Sequence, residues 1–174
     1  MKNYLKSSLN YYIHEADKGN AESAYQLGRL LEKLGYSQFH VQRQYRRAAQ
    51  GGYPLAWRWL GILGLTHALL DEDCVFPNAR YNTDYDTALL FLKRADDAGD
   101  LIAQYILAKC LQIGLGMPAD EARAEREISR LVPNIDEDRI TAVALLFDYI
   151  RCTKDTAVVS VTFIASAFQA LKSN

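Results

Sequence analysis

Cysteine, proline and histidine are scarce in this 174-residue chain, and no single sign of charge prevails. The three cysteines, Cys74, Cys110 and Cys152, are odd in number and form neither a CxxC nor a CxxH pair. A disulfide framework and a zinc-ribbon pattern are both excluded, and a reducing compartment is the expected one. No uninterrupted apolar run reaches the roughly 18 residues needed to cross a bilayer. The nearest stretch, 157–171, is broken by Ser160, Thr162, Ser166 and Gln169. The N-terminal residues show no apolar core followed by a small-residue cleavage pattern, so the chain is expected to be cytoplasmic, with no membrane partner. The 20 basic residues nearly cancel the 21 acidic ones, whereas nucleic-acid binders usually carry a basic excess. No nucleic-acid partner is expected.

The motifs of chemistry are missing too. There is no GxxxxGK[ST], GxSxG or HExxH, and no GxGxxG following a strand. His14, His40 and His67 fall on three different predicted helices, without carboxylates at metal-ligand spacing. Cys74 follows Asp71, Glu72 and Asp73, which raise a thiol pKa rather than lower it. The acids Asp71–Asp73, Asp84 and Asp86 lack the order of a calcium loop. Arg43, Arg46 and Arg47, with Tyr45, make a basic cluster that the overall charge does not extend. No catalytic, cofactor or metal residue is expected.

What is present is a repeat. Gly19-Asn-Ala-Glu-Ser-Ala-Tyr-Gln-Leu27-Gly28, Gly52-Tyr-Pro-Leu-Ala56-Trp-Arg-Trp-Leu60-Gly61 and Gly99-Asp-Leu-Ile-Ala103-Gln-Tyr-Ile-Leu107-Ala108 align without gaps. Each has Gly first, Leu eight residues on and Gly or Ala at nine; Ala stands at four in two of them, where the first has Ser23 followed by Ala24. Small residues precede each glycine: Ala16, then Ala48-Ala49, then Ala95 and Ala98. Gly ends one helix in a left-handed cap, the next begins at once, and small residues let the paired helices approach closely. That is the helical hairpin of an α-solenoid.

These residues resemble the Sel1-like repeat family, a relative of the tetratricopeptide repeat, whose pattern is roughly A-A-x-x-G-x-x-x-A-x-x-x-L-G. Ala48, Ala49, Gly52, Ala56, Leu60 and Gly61 carry it most fully, over a resemblance that spans about residues 10–132. It implies a single all-α domain over 1–174, a right-handed α-solenoid of about nine helices. The units are expected at about 16–50, 51–98 and 99–132, with capping helices over 133–174. The glycine spacings are 33 and 47 residues, which places an inserted loop at 71–83. Gly114-Leu-Gly116 keeps the family's G-x-G turn, and Ala108 in place of the second glycine predicts looser helix packing there. Helices are expected at about 2–17, 21–34, 38–50, 54–69, 84–98, 101–113, 119–131, 137–152 and 155–172. The β-branched run 158–164 is assigned to the last of these.

Positions three, six, ten and thirteen after each glycine form one stripe on the first helix of a pair, the helix that lines the concave face in such solenoids. They are Glu22, Tyr25, Arg29 and Glu32 with Lys33 adjacent; Leu55, Arg58, Ile62 and Leu65; and Ile102, Tyr105, Lys109 and Gln112. Tyrosine, arginine and apolar groups together have the composition of an interface. The expected partner-binding set is Glu22, Tyr25, Arg29, Lys33, Arg58, Ile62, Tyr105, Lys109 and Gln112. Tyr25, Arg29, Arg58 and Tyr105 are expected to be exposed and dispensable for folding. The resemblance implies a non-enzymatic interaction module of bacterial type: an adaptor, a regulator, or an immunity protein that neutralises a toxin. Its partner is a protein, an effector or toxin among the candidates, and the chain itself is a monomer or weak homodimer. Residues 1–70 hold nine basic and four acidic residues, and the remainder eleven and seventeen, so the N-terminal half suits an acidic partner. Two alternatives are an enzyme with an inter-helix site and a structural oligomerisation unit built on the apolar last helix.

Overall fold

The computed structural model describes residues 2–66, 85–154 and 171, with side chains for 7–66, 85–151 and 171. The described elements are α1 (Lys2–Asp17), α2 (Ala21–Lys33), α3 (Gln38–Gln50), α4 (Pro54–Leu65), α5 (Asp86–Asp97), α6 (Leu101–Ile113), α7 (Glu121–Leu131), a 3-10 turn (Val132–Asn134) and α8 (Glu137–Lys154). There are eight α-helices and no strand among the described residues, close to the nine helices expected. The ninth, at 155–172, and the inserted loop at 71–83 lie outside the described residues, apart from Leu171. Each helix from α1 to α6 packs against the next in the chain, so α2/α3, α4/α5 and α6/α7 are hairpins and the described residues form an all-α solenoid.

The three anchoring glycines sit in the left-handed region, at φ of 92° for Gly19, 82° for Gly52 and 84° for Gly99. Each closes a Schellman pattern. At the second, Tyr53 N–H donates to the Ala48 carbonyl (3.1 Å) and Gly52 N–H to that of Ala49 (2.9 Å). The next helix then starts on its own cap. Asn20 accepts from Ser23 N–H, Asp100 accepts from Ile102 and Ala103 N–H, and Pro54 opens α4.

Helix ends shift where side chains take the backbone's partners. α4 ends at Leu65, and the Thr66 hydroxyl beside its end donates to the carbonyls of Ile62 (3.0 Å) and Leu63 (3.2 Å). α7 starts at Glu121 because Asp120 caps it through Arg123 N–H (3.0 Å).

Small residues set the hairpin contacts. A Cβ built on Gly28 would come within 2.8 Å of the Tyr45 ring, and one on Gly61 within 2.6 Å of Leu92 Cγ. Gly116 lies equally close to Tyr85 and Leu89, so the G-x-G turn lodges against the start of α5. Ala16, Ala48, Ala49, Ala56, Ala95, Ala103 and Leu60 are all fully buried. Trp57 stacks on Phe91 (centroids 5.5 Å apart) and carries the Arg94 guanidinium at 5.0 Å, tying α4 to α5. One continuous core runs from Ala16 to Leu171.

Candidate functional site

The stripe on the first helices divides into an accessible part and a buried part. Glu22 and Lys33 are exposed; Arg29, Glu32, Lys109 and Gln112 are half-buried. Tyr25 and Ile62 are 0% exposed, Arg58 3% and Tyr105 6%. The expectation of exposed side chains at Tyr25, Arg58 and Tyr105 is therefore corrected, and with it the expectation that they are dispensable for folding.

The reason lies in what position six touches. Tyr25 packs on Tyr53 with ring centroids 5.1 Å apart, and Arg58 reaches Asp100. Tyr53 and Asp100 are each the residue that follows the next unit's glycine. Position six is thus the joint between one first helix and the start of the next. The stripe assumes a helix with one free side, but α4 (PLAWRWLGILGL) has a single charged residue and is apolar around its whole circumference. Such a helix is buried on all sides. Leu55, Ile62 and Leu65 follow from that.

Arg58 Nη1 donates to both carboxylate oxygens of Asp100, each at 3.0 Å, and Asp100 Oδ1 also accepts from Ile102 N–H (3.0 Å) and Ala103 N–H (2.9 Å). Around the first joint stands a tyrosine cluster. Tyr25 lies 5.3 Å from Tyr45, whose other ring neighbour is Trp59 at 6.3 Å. The Tyr45 hydroxyl donates to Glu32 Oε2 (3.4 Å). Burial pushes the Tyr25 phenol up to about 12, although the guanidinium groups of Arg58 and Arg29 pull the other way. Burial, helped by the Glu32 carboxylate, pushes Tyr45 higher still. Tyr53 and Tyr105 are raised by burial as well.

The accessible members of the set are Glu22, Arg29 and Lys33 on α2 and Lys109 and Gln112 on α6, where Lys109 Nζ donates to Gln112 Oε1 at 2.6 Å. They sit on the two outer first helices, with buried α4 between them in sequence.

Other sequence features resolve into structural parts. In the basic cluster on α3, Tyr45 and Arg46 are buried, Arg47 pairs with Asp17 (2.9 Å) and Arg43 is exposed. His40 Nδ1 bonds the Ser37 hydroxyl at 2.8 Å. Cys110 is fully buried, and burial pushes its thiol up to about 12, which suits a packing residue rather than a nucleophile. His67 and Cys74 lie outside the described residues, as does the Cys152 side chain. Among the described residues no three His, Cys, Asp or Glu side chains could together hold a metal ion. No described helix is long and apolar enough to cross a membrane. Sequence reasoning did not anticipate a cleft of about 400 Å³ between α5, α6 and α7, floored by Leu107, Leu111 and Met117, which opens beside Ala108.

No protein-family model matches the chain, and no curated protein matches it. Among solved structures it is similar to a Sel1 repeat protein from Oxalobacter formigenes at 24% identity and a TM-score of 0.59, over 78% of this chain and 96% of that one. That likeness concerns the fold, and it agrees with the left-handed glycine caps, the hairpins and the buried alanines. The chain has a Sel1-like repeat fold.

Proposed function

We propose that this chain is a non-enzymatic, cytoplasmic protein-interaction module, of the adaptor, regulator or toxin-neutralising kind. It binds an acidic partner surface through the accessible residues of its first helices: Glu22, Arg29, Lys33, Lys109 and Gln112. The observation that carries the reading is position ten of the outer units. Arg29 and Lys109 occupy it as half-buried cations, their charged ends supported by packed stems, while the equivalent Ile62 is sealed in the core. The basic balance of residues 1–70 gives the partner's approach a direction. Repeat folds of this type offer extended surfaces rather than enclosed reaction sites. Tyr25, Arg58, Ile62 and Tyr105 enter this reading only by holding the first helices in place.

The test is affinity capture from the source cell with the wild-type chain, an Arg29→Glu/Lys109→Glu variant and an Arg126→Glu control on exposed α7. Proteins captured by wild type and control should be lost from the double variant. A titration with the purified partner should show binding weakened at least about tenfold, or roughly 1.4 kcal/mol. Undiminished affinity in the folded double variant would remove the first helices as the binding surface.

A further inference from the structure

The third hairpin lacks the side chains that seal the second. In the second, position five of the first helix is Trp57, stacked on Phe91 beneath the Arg94 guanidinium. Position five of the third unit is Gln104. The seam Ala88, Leu92 and Ala95 of α5 recurs in α7 as Ala124, Ile128 and Leu131, with the same steps of four and three residues, and all six are buried in the core or packed against it. That register puts Glu127 in the place of Phe91 and Arg130 in the place of Arg94. Gln104, Glu127 and Arg130 all line the cleft of about 400 Å³ between α5, α6 and α7. The fold therefore brings the same three positions together and leaves the space between them open. The cleft floor lacks cover as a result. Leu107 is half-buried, whereas Leu27 and Leu60 at the equivalent position are buried.

We propose that this cleft is the docking site for a tryptophan side chain of a partner protein. Three observations select that occupant. The first is the chain's own example, since the equivalent space in the second hairpin is filled by an indole ring. Arg130 stands where Arg94 covers Trp57, and its exposed pair with Glu127 (2.8 Å) rearranges at little cost to let it cover a docked ring. The second is Gln104, whose Oε1 is buried with no hydrogen-bond partner in the protein. No bond holds that oxygen in place, and turning the carboxamide toward an indole N–H in the cleft satisfies it; a phenylalanine ring has no donor to offer.

The third is the rim. Lys93, Asp96 and Arg123 join the Arg130–Glu127 pair around the opening, so both signs of charge are present. A mixed rim suits the peptide groups on either side of a docked side chain better than it suits a free ligand of one charge. The volume lies near the lower end of the roughly 300–1,000 Å³ of small-molecule sites, which fits one ring system on the apolar floor of Leu107, Leu111 and Met117. None of Glu22, Arg29, Lys33, Lys109 and Gln112 lines this cleft, so the proposal stands apart from the first-helix surface described above.

The experiment is methyl NMR of the whole 174-residue chain labelled at methionine. There are two such signals, from Met117 on the cleft floor and Met1 at the N-terminus. A Ser-Trp-Ser peptide blocked at both ends is titrated to about 10 mM, because one side chain in an open cleft binds weakly. It should shift the Met117 methyl saturably through the indole ring current and leave that of Met1 in place. The matching Ser-Phe-Ser peptide should bind more weakly, and Gln104→Leu should abolish that preference. Arg130→Ala should weaken the tryptophan peptide about twofold to fivefold. Gln104→Trp supplies the occupant from within the chain and should remove binding; if that variant does not fold, Gln104→Leu and Arg130→Ala carry the test. A Met117 signal that no peptide moves overturns the proposal, as do equal affinities for the two peptides in wild type or undiminished binding in folded Gln104→Trp. Free tryptophan binding more tightly than the blocked peptide would also overturn it, by assigning the cleft to a small molecule.

Discussion

Arg58 and Asp100 are 42 residues apart, and they form a buried bidentate ion pair that is also a helix cap. The carboxylate takes both hydrogen bonds from one guanidinium nitrogen and, with the same oxygen, holds the first turn of α6. One unit's first helix is thereby fastened to the start of the next. Tyr25 and Tyr53 occupy the equivalent positions of the preceding joint with an aromatic contact instead.

Breaking this pair should be costly. Arg58→Ala leaves a buried carboxylate without its counter-ion, a loss of about 3–5 kcal/mol. For a chain of this length that is a fall in Tm of about 6–20 °C. Arg58→Lys should recover little, since its ammonium sits on a shorter stem and is more strongly hydrated than the guanidinium it replaces. Asp100→Asn keeps an oxygen for the α6 amides and should cost less than Asp100→Ala. Thermal melts of the four variants check the ordering, and an Arg58→Ala melt within about 2 °C of wild type would contradict the coupling.

The close approaches at Gly28 and Gly61 predict a second result. Leu at either site must displace the Tyr45 ring or the Leu92 side chain, both in a filled core, and overpacking of that kind costs about 1–3 kcal/mol. Gly61 also faces the Ala88 carbonyl oxygen, 3.1 Å from its hypothetical Cβ, so backbone has to move as well. Gly61→Leu should therefore be the worse of the two. Denaturant midpoints for both variants measure this, and two unchanged midpoints would refute the hairpin contact.

Gly51 and Gly52 are adjacent and needed for different reasons. At Gly51 φ is −77° and the constraint is space, with Ala21 Cβ 2.5 Å from where a Cβ would stand. At Gly52 nothing lies within 4 Å and the constraint is the positive φ. Gly52→Ala should cost about 1–2 kcal/mol. Gly52→Asn should cost clearly less, because asparagine tolerates the left-handed region. At Gly51 alanine and asparagine should both be destabilising, asparagine more so. Equal effects of alanine and asparagine at Gly52 would argue that its backbone conformation is not the constraint.

These contrasts explain how far the sequence could be read. Glycine caps, small contact residues and side-chain caps act over a few residues and recur in phase, so the repeat, the hairpins and most helix ends could be placed from spacing alone. The burial of Tyr25, Arg58 and Tyr105 could not, because it depends on where one unit's helix meets the next. Spacing along one helix says which residues share a face; it does not say what covers that face. A signal was available at α4, whose twelve residues carry one charge and leave no polar side to turn outward. A lone arginine in such a helix points to a buried partner, and Asp100 had the cap position that would supply one.

The tyrosine joint makes the fold sensitive to alkali. In the unfolded chain Tyr25 and Tyr45 titrate near their ordinary value of 10. In the fold burial raises Tyr25 to about 12 and Tyr45 further. A raised folded pKa means that the folded state keeps its proton after the unfolded state has lost it. The contribution to stability is therefore complete below pH 10 and is lost as pH rises from about 10 to about 12. Each tyrosine removes about 1.4 kcal/mol per pH unit in that window, so the two together remove about 5 kcal/mol by pH 12. Unfolding free energies measured from pH 8 to pH 11.5 should be level at first with respect to these groups and then fall steeply. The share of phenolate absorbance that belongs to Tyr25, read as the difference between wild type and Tyr25→Phe, should appear with unfolding rather than before it. Tyr25→Phe, which keeps the ring contacts but cannot ionise, should shallow the alkaline slope by about 1.4 kcal/mol per pH unit. If the slope in Tyr25→Phe equals that of wild type, Tyr25 is ionising in the fold at its ordinary pKa and is not sealed in the joint.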